Sequence, residues 1–320
     1  MGQNGPVNRW AGIEEGHEAA AAPRLDLPGV RARPVPRLRR TERLAVGSVD
    51  GGAHVLQRRG RDLLVGSSLL MLPMVGVYLL LAFVAYGEFD RFESLVGDRG
   101  YLGVQKGLSL LAIVVESLTA HVVGAYVALY LVRYQMGGEP RMGQVLKVVA
   151  TRSHTLVATW LLVRGVPLLP IGLIHLNSTN ESMVGLTLLF SPLVALVIAW
   201  TLFVSPVVMC EGLQVGAIRR ARRLASTRSG QVYGFVWAST FMAGVLFVCI
   251  AALPDLAEST GLVTFGPYGW LIQGLAVPMA LIVVMPFSAA ITAQLYLQTR
   301  VQAEGLDIVL AADRAFGAHR

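Results

Sequence analysis

Residues 183–250 read MVGLTLLFSPLVALVIAWTLFVSPVVMC EGLQVGAIRRARRLASTRSG QVYGFVWASTFMAGVLFVCI. Two charge-free apolar runs, 183–210 and 232–253, flank a connection that holds Arg219, Arg220, Arg222, Arg223 and Arg228. About 20 apolar residues suffice to cross a hydrocarbon core of roughly 30 Å. Arginine gathers in connections retained on the cytoplasmic side of a membrane. This stretch therefore reads as two transmembrane helices joined by a cytoplasmic loop.

The same reading extends along the chain. Further runs occur near 63–86, 107–133, 155–175 and 269–297, giving six expected spans. The connection 87–105 is mainly acidic, with Glu88, Asp90, Glu93 and Asp98 against Arg91 and Arg99. The next carries Arg141, Lys147 and Arg152, the third has no cation, and the fifth has Asp255 and Glu258 alone. Basic residues on alternate connections predict an all-α polytopic protein of the plasma membrane with both termini cytoplasmic. Composition agrees: 54% of residues are hydrophobic and only 15% charged, against roughly a quarter in soluble domains. The net charge of +7 is explained by this placement, so nucleic acid is not an expected partner.

Residues 1–40 lack hydrophobic periodicity and mix Pro23, Pro28, Pro34 and Pro36 with Arg24, Arg31, Arg33, Arg37, Arg39 and Arg40. They read as a disordered cytoplasmic tail, because such a composition buries too little apolar area to offset its ordering entropy. The expected membrane domain covers 41–300, and 301–320 form a second cytoplasmic tail. No signal peptide is expected, since the first span follows a long basic stretch.

A weak threefold repeat precedes spans 1, 3 and 5: Val46-Gly47-Ser48-Val49, Met142-Gly143-Gln144-Val145 and Val215-Gly216-Ala217-Ile218. Each unit is expected to be a basic interfacial helix followed by a two-span hairpin. The apolar face would sit at the headgroup boundary, with arginines toward the phosphates of anionic lipid. Pro73, Pro167, Pro170, Pro192, Pro206, Pro278 and Pro286 predict kinks in the spans.

Ionisable groups within spans are costly, roughly 2.5–3.5 kcal/mol at mid-depth, and are candidate functional residues. Glu116 and Arg164 fall at similar depth on consecutive antiparallel spans and are expected to pair. His121, five residues from Glu116, would extend that pair into a polar network. Glu211, at the inner end of span 4, is expected to form an interfacial salt bridge that orients the following basic helix. The arginines at 219, 220, 222, 223 and 228 form a cytoplasmic basic patch. No metal-ligand spacing, nucleophile motif or phosphate loop is present in the sequence, so neither cofactor nor enzyme activity is expected. The runner-up to a structural or accessory role in envelope or lipid homeostasis is a transporter, or a lipid-translocating protein, with its polar site at mid-membrane.

Three segments carry a resemblance. They are Arg33-Pro34 leading into Leu44-x-x-Gly47 and Gly52-Ala53; Glu211-Gly212-Leu213 with Ala217-Ile218-Arg219-Arg220 and Arg223-Leu224; and Leu295-Tyr296, Arg300 and Glu304-Gly305-Leu306-Asp307. Together they resemble an uncharacterised, chiefly actinobacterial family of six-span membrane proteins. That family is related to the membrane domain attached to some glycerophosphoryl diester phosphodiesterases. The chain departs from the pattern at Ser48, Gly51, Ala221-Arg222, Gly230, Gln298 and Gln302. The resemblance implies the six-span fold and no catalytic residues, because the phosphodiesterase domain has no counterpart in this sequence.

Overall fold

A computed structural model describes residues 44–86, 90–177, 192–266 and 269–308. The chain divides into units 1–34 and 35–320. The first unit and the expected tail over 1–40 lie outside the described residues, as do 183–191 of the fourth expected span.

The described elements are helical. They are α1 (Leu44–Tyr86), α2 (Asp90–Gln135), α3 (Met142–Thr151), α4 (Ser153–Trp160), a π-helical segment (Leu161–Gly165) and α5 (Val166–Asn177). Then follow α6 (Pro192–Cys210), α7 (Gly216–Ser226), α8 (Ser229–Ala251), α9 (Leu253–Ser259) and α10 (Gly269–Glu304). Among the described residues five stretches are long and apolar enough to cross a membrane: Val46–Val84, Val104–Gln135, Pro192–Cys210, Ser229–Ala251 and Gly269–Glu304. The protein is therefore a multi-pass membrane protein of all-α class.

The third expected span, 155–175, is not one of the five. It is helical from Ser153 to Asn177, but the π segment divides it. Pro167 lacks an N–H, and its ring clashes with the carbonyl of residue 163 in a regular helix. A widened turn at Leu161–Gly165 relieves that conflict, and the Val166 N–H reaches back to the Leu161 carbonyl. The same chemistry breaks α6 at Leu202–Phe203, one turn before Pro206.

Other boundaries also shift. The expected loop 87–105 is helical from Asp90 onward, because α2 runs 46 residues. At about 1.5 Å per residue, α2 exceeds twice the roughly 30 Å of a hydrocarbon core, so its first turns lie beyond the span. At the other end of the chain α10 continues past 300 to Glu304.

The threefold repeat has a common geometry. Helix α1 turns a corner at Arg59 (φ −130°, ψ 20°). The corner between α3 and α4 is Arg152 (φ −104°, ψ 11°). That between α7 and α8 is Arg228 (φ −140°, ψ 48°). Gly47 to Arg59 and Gly216 to Arg228 both cover twelve residues; Gly143 to Arg152 covers nine. The inward stripes also correspond. Ser48, Gly52 and Val55 are buried on α1, and Ala217, Ala221 and Leu224 are buried on α7 at the same offsets from their glycines. Such i, i+4, i+7 spacing presents one helical face to the bundle. On α3 the buried residues are Val145 and Val149.

Helix α10 is the hub and α8 the periphery: 61% of the most apolar window of α10 is buried, against 11% for α8. Phe241, Val245 and Val248 on α8 are exposed, as lipid-facing residues would be. Helices α1 and α10 approach closely because the contact is made by small residues; any side chain at Gly274 would collide with Ala82. A side chain at Gly66 would collide with the Tyr126 hydroxyl, which donates to the Asp62 carbonyl at 2.8 Å.

Candidate functional site

Polar side chains gather in three places. The first lies at the end of the bundle that carries the arginine corners. Glu211 follows the last residue of α6. Its Oε2 accepts from Arg220 Nε at 2.9 Å, and its Oε1 accepts from the Tyr296 hydroxyl at 2.8 Å. Arg220 also pairs with Glu304. Arg300 Nε donates to Glu304 Oε2 at 3.0 Å, and Arg300 Nη1 donates to the Tyr296 hydroxyl at 3.3 Å. Two carboxylates thus meet two guanidinium groups in a closed network linking α6, α7 and α10. Burial on its own would push the Arg220 guanidinium down. Its hydrogen bonds to Glu211 and Glu304 outweigh that and hold it above its ordinary range. The residues are the ones that carried the resemblance: Glu211, Arg220, Tyr296, Arg300 and Glu304.

Arg152 braces the same end. Its Nη1 donates to the carbonyls of Val208 (3.1 Å) and Met209 (3.2 Å), acceptors left without partners at the end of α6. Gly212, at φ 71°, turns the chain out of α6 in a conformation that side chains disfavour. The Arg152 guanidinium lies beside it. The rest of the basic patch faces outward: Arg219, Arg222, Arg223 and Arg228 are exposed. Arg222 lies 4.9 Å over the Trp200 ring.

The second place is within the bundle, where the expected Glu116–Arg164 pair does not form. No ion pair within 4.0 Å joins them among the described residues. Glu116 Oε2 instead accepts from the Tyr78 hydroxyl at 2.6 Å, across α1 and α2. The neighbouring Ser117 accepts from Trp160 Nε1 at 3.1 Å, across α2 and α4. Consecutive helical residues point about 100° apart. With Ser117 facing α4, Glu116 faces α1, and Arg164 lies on the wrong side of α2. The rotation of α2 turns Glu116 toward Tyr78 on α1.

The third place holds His121, one turn beyond Ser117 on the same face. It is not linked to Glu116. Its Nε2 lies 3.3 Å from Thr159 Oγ1, and its Nδ1 lies 3.0 Å from Ser205 Oγ. All three residues are buried. Thr159 Oγ1 already gives its proton to the carbonyls of Thr155 and Leu156. It can therefore only accept, which places the imidazole proton on Nε2 and makes Nδ1 the acceptor for Ser205. The neutral ring ties α2, α4 and α6 together.

Asp62 and Tyr78 were not expected as site residues. Asp62 Oδ2 accepts from the Tyr130 hydroxyl at 2.7 Å. It precedes the first residue of the expected first span by one position, so the sequence reading left it in the basic interfacial stretch before that span. A cleft of about 340 Å³ lies between α1, α8, α9 and α10. Tyr78, Leu81, Ala82, Ala251, Asp255 and Val277 are among its walls. Tyr78 thus stands between this cleft and Glu116. Among the described residues no three metal-ligating side chains come together.

No protein-family model, curated protein or solved structure matches this chain.

Proposed function

We propose that the protein is a non-enzymatic accessory component of the plasma membrane. It would cross the membrane six times and hold three cytoplasmic helices against anionic headgroups, in the service of envelope or lipid homeostasis. The observation that carries this reading is α7. Its Ala217, Ala221, Leu224 and Ala225 pack inward, while Arg219, Arg222 and Arg223 face out. Arg220 alone turns back into the Glu211–Glu304–Arg300 network. One arginine fixes the helix and the others remain available to phosphates. A cation near an anionic surface contributes about 1 kcal/mol, screened by salt. The three-segment resemblance implies the same six-span fold.

The test is lipid retention by the full chain, read by native mass spectrometry after extraction from membranes of equal phosphatidylglycerol and phosphatidylcholine content. The wild type retains phosphatidylglycerol preferentially. Replacing Arg219, Arg222, Arg223 and Arg228 by glutamine abolishes the preference without lowering the melting temperature. An unchanged preference in that variant would overturn the reading.

A second reading, a transporter or lipid-translocating protein, is favoured by one observation. The cleft wall carries Tyr78, whose hydroxyl is bonded to an acid inside the bundle.

A further inference from the structure

The end of the bundle that carries the arginine corners holds more positive charge than the Glu211 network neutralises. Within that network the charges are even: Glu211 and Glu304 face Arg220 and Arg300. Two further guanidinium groups stand beside it. Arg133 lies in the last turn of α2, and Arg152 is the corner between α3 and α4. Both are half-buried, and α2, α4 and α6 pack against one another. Their common neighbour is Cys210, the last residue of α6, whose surrounding charges are Arg300, Glu211, Arg133 and Arg152.

No carboxylate among the described residues pairs with Arg133 or Arg152. Glu211 is held by Arg220 and Tyr296, and Glu304 by Arg220 and Arg300. Glu139, in the turn after α2, lies toward Arg59 at 3.9 Å. Asp62 accepts from Tyr130. Arg152 spends its Nη1 on the Val208 and Met209 carbonyls, which leaves the hydrogens of Nη2 and Nε without an acceptor among the described residues. Arg133 makes no side-chain hydrogen bond or ion pair among them. A guanidinium cannot shed its charge, and a charge held out of water without a partner is costly. Guanidinium forks match the paired oxygens of phosphate. A phosphate monoester brings close to two negative charges near neutral pH, which equals the surplus. A phosphodiester brings one and leaves a guanidinium unmatched.

We infer that Arg133 and Arg152, beside the end of α6, form a binding site for a phosphate monoester. A phosphatidic acid headgroup and a free phosphate ester share this chemistry. The site deepens the proposed headgroup contact by giving one phosphate a defined seat, and it rests on that reading only for the depth of this end at the headgroups. The outward arginines of α7 take no part in it.

The experiment uses the full chain in nanodiscs of phosphatidylcholine at about pH 8, with bound molecules read by native mass spectrometry. One arm dopes the bilayer with phosphatidic acid or with phosphatidylmethanol of the same acyl chains, which differ by one methyl group and one charge. The other arm adds methyl phosphate or dimethyl phosphate in solution. The monoester is retained over its diester by about tenfold, the scale of one charge-assisted hydrogen bond. Arg133→Gln removes most of that preference. Arg141→Gln, at an exposed arginine after the same helix, leaves it unchanged. Preferential retention of phosphatidic acid alone assigns a lipid headgroup, and that of methyl phosphate alone assigns a free phosphate ester; either sustains the site. Equal retention of monoester and diester in both arms overturns it, and that comparison needs no variant. So does an undiminished preference in an Arg133→Gln protein that melts with the wild type, or an equal loss in Arg141→Gln. Failure here leaves the phosphatidylglycerol preference of the α7 arginines untouched. Loss of that preference in their glutamine variant leaves monoester retention untouched, so the two readings fail separately.

Discussion

Glu211 and Arg220, nine residues apart, are joined by a 2.9 Å hydrogen bond that fastens α7 to the end of α6. The pair is mostly shielded, with side-chain exposures of 15% and 25%. Glu211 also accepts from Tyr296, so its carboxylate links three helices. A carboxylate at the end of one helix and a guanidinium one turn into the next fix the angle between the two.

Glu211→Gln removes the charge and keeps the shape. Arg220 and Arg300 then share Glu304 alone. A hydrogen bond to a charged group contributes about 1.5–3 kcal/mol. Glu211→Gln is expected to destabilise the protein by about that much, read as a lower melting temperature in detergent. Arg219→Gln, on the outward face, should leave the melt unchanged. Equal melts for the two variants would show that the network does not hold α7.

Glu116 and Arg164 serve different interfaces and should behave as independent sites. Glu116→Gln weakens the bond from Tyr78 and lowers stability. Arg164→Leu removes a cation with which no carboxylate among the described residues pairs, and charges inside a membrane are costly, so it raises the folded yield. The double mutant shows the sum of the two effects, as expected for sites without shared partners. A coupling well above about 0.5 kcal/mol in the double-mutant cycle would mean that the two charges meet.

These two charges mark the limit of what the sequence discloses. Five of the expected span positions were legible because a run of apolar residues is needed to cross hydrocarbon, and length alone reveals it. The repeated glycine segments were legible as units, although the arginine corners that end them were not. Facing was not legible. Glu116 and Ser117 differ by about 100° around one axis, and hydropathy carries no information on that angle when the surrounding residues are uniformly apolar. Tyr78 escaped notice for the same reason, since a tyrosine among leucines reads as core until its hydroxyl finds an acid. The division of 153–177 was legible only as prolines; the widened turn that accommodates them is a property of packed backbone.

Ser205→Ala should expose the dependence of three helices on one imidazole. The hydroxyl of Ser205 is the donor to His121 Nδ1. Without it a buried acceptor loses its partner, which costs about 1–3 kcal/mol. Ser205→Thr keeps the hydroxyl and should retain more of the stability than alanine. If alanine and threonine variants melt alike, the hydrogen bond contributes nothing and the contact is only packing.

The decisive test of the six-span reading is the side on which residue 178 lies. The Arg152 corner touches the Val208 and Met209 carbonyls, so α4 begins at the end of the bundle where α6 finishes. A chain that leaves this end at Ser153 and returns to it at Cys210 must have reached the opposite end in between. Helix α6 supplies the return. The six-span reading takes 153–177 as the outward crossing, despite its π segment and Arg164. Reporter fusions at 90–100, 178 and 258 should report outside, and those at 140 and 225 inside. If 153–177 failed to cross, 178 would report inside and 225 outside, which would put the arginines of α7 on the face that basic connections avoid. An inside signal at 178 with an outside signal at 225 would replace six spans by five. It would also remove the cytoplasmic headgroup contact on which the proposed function rests.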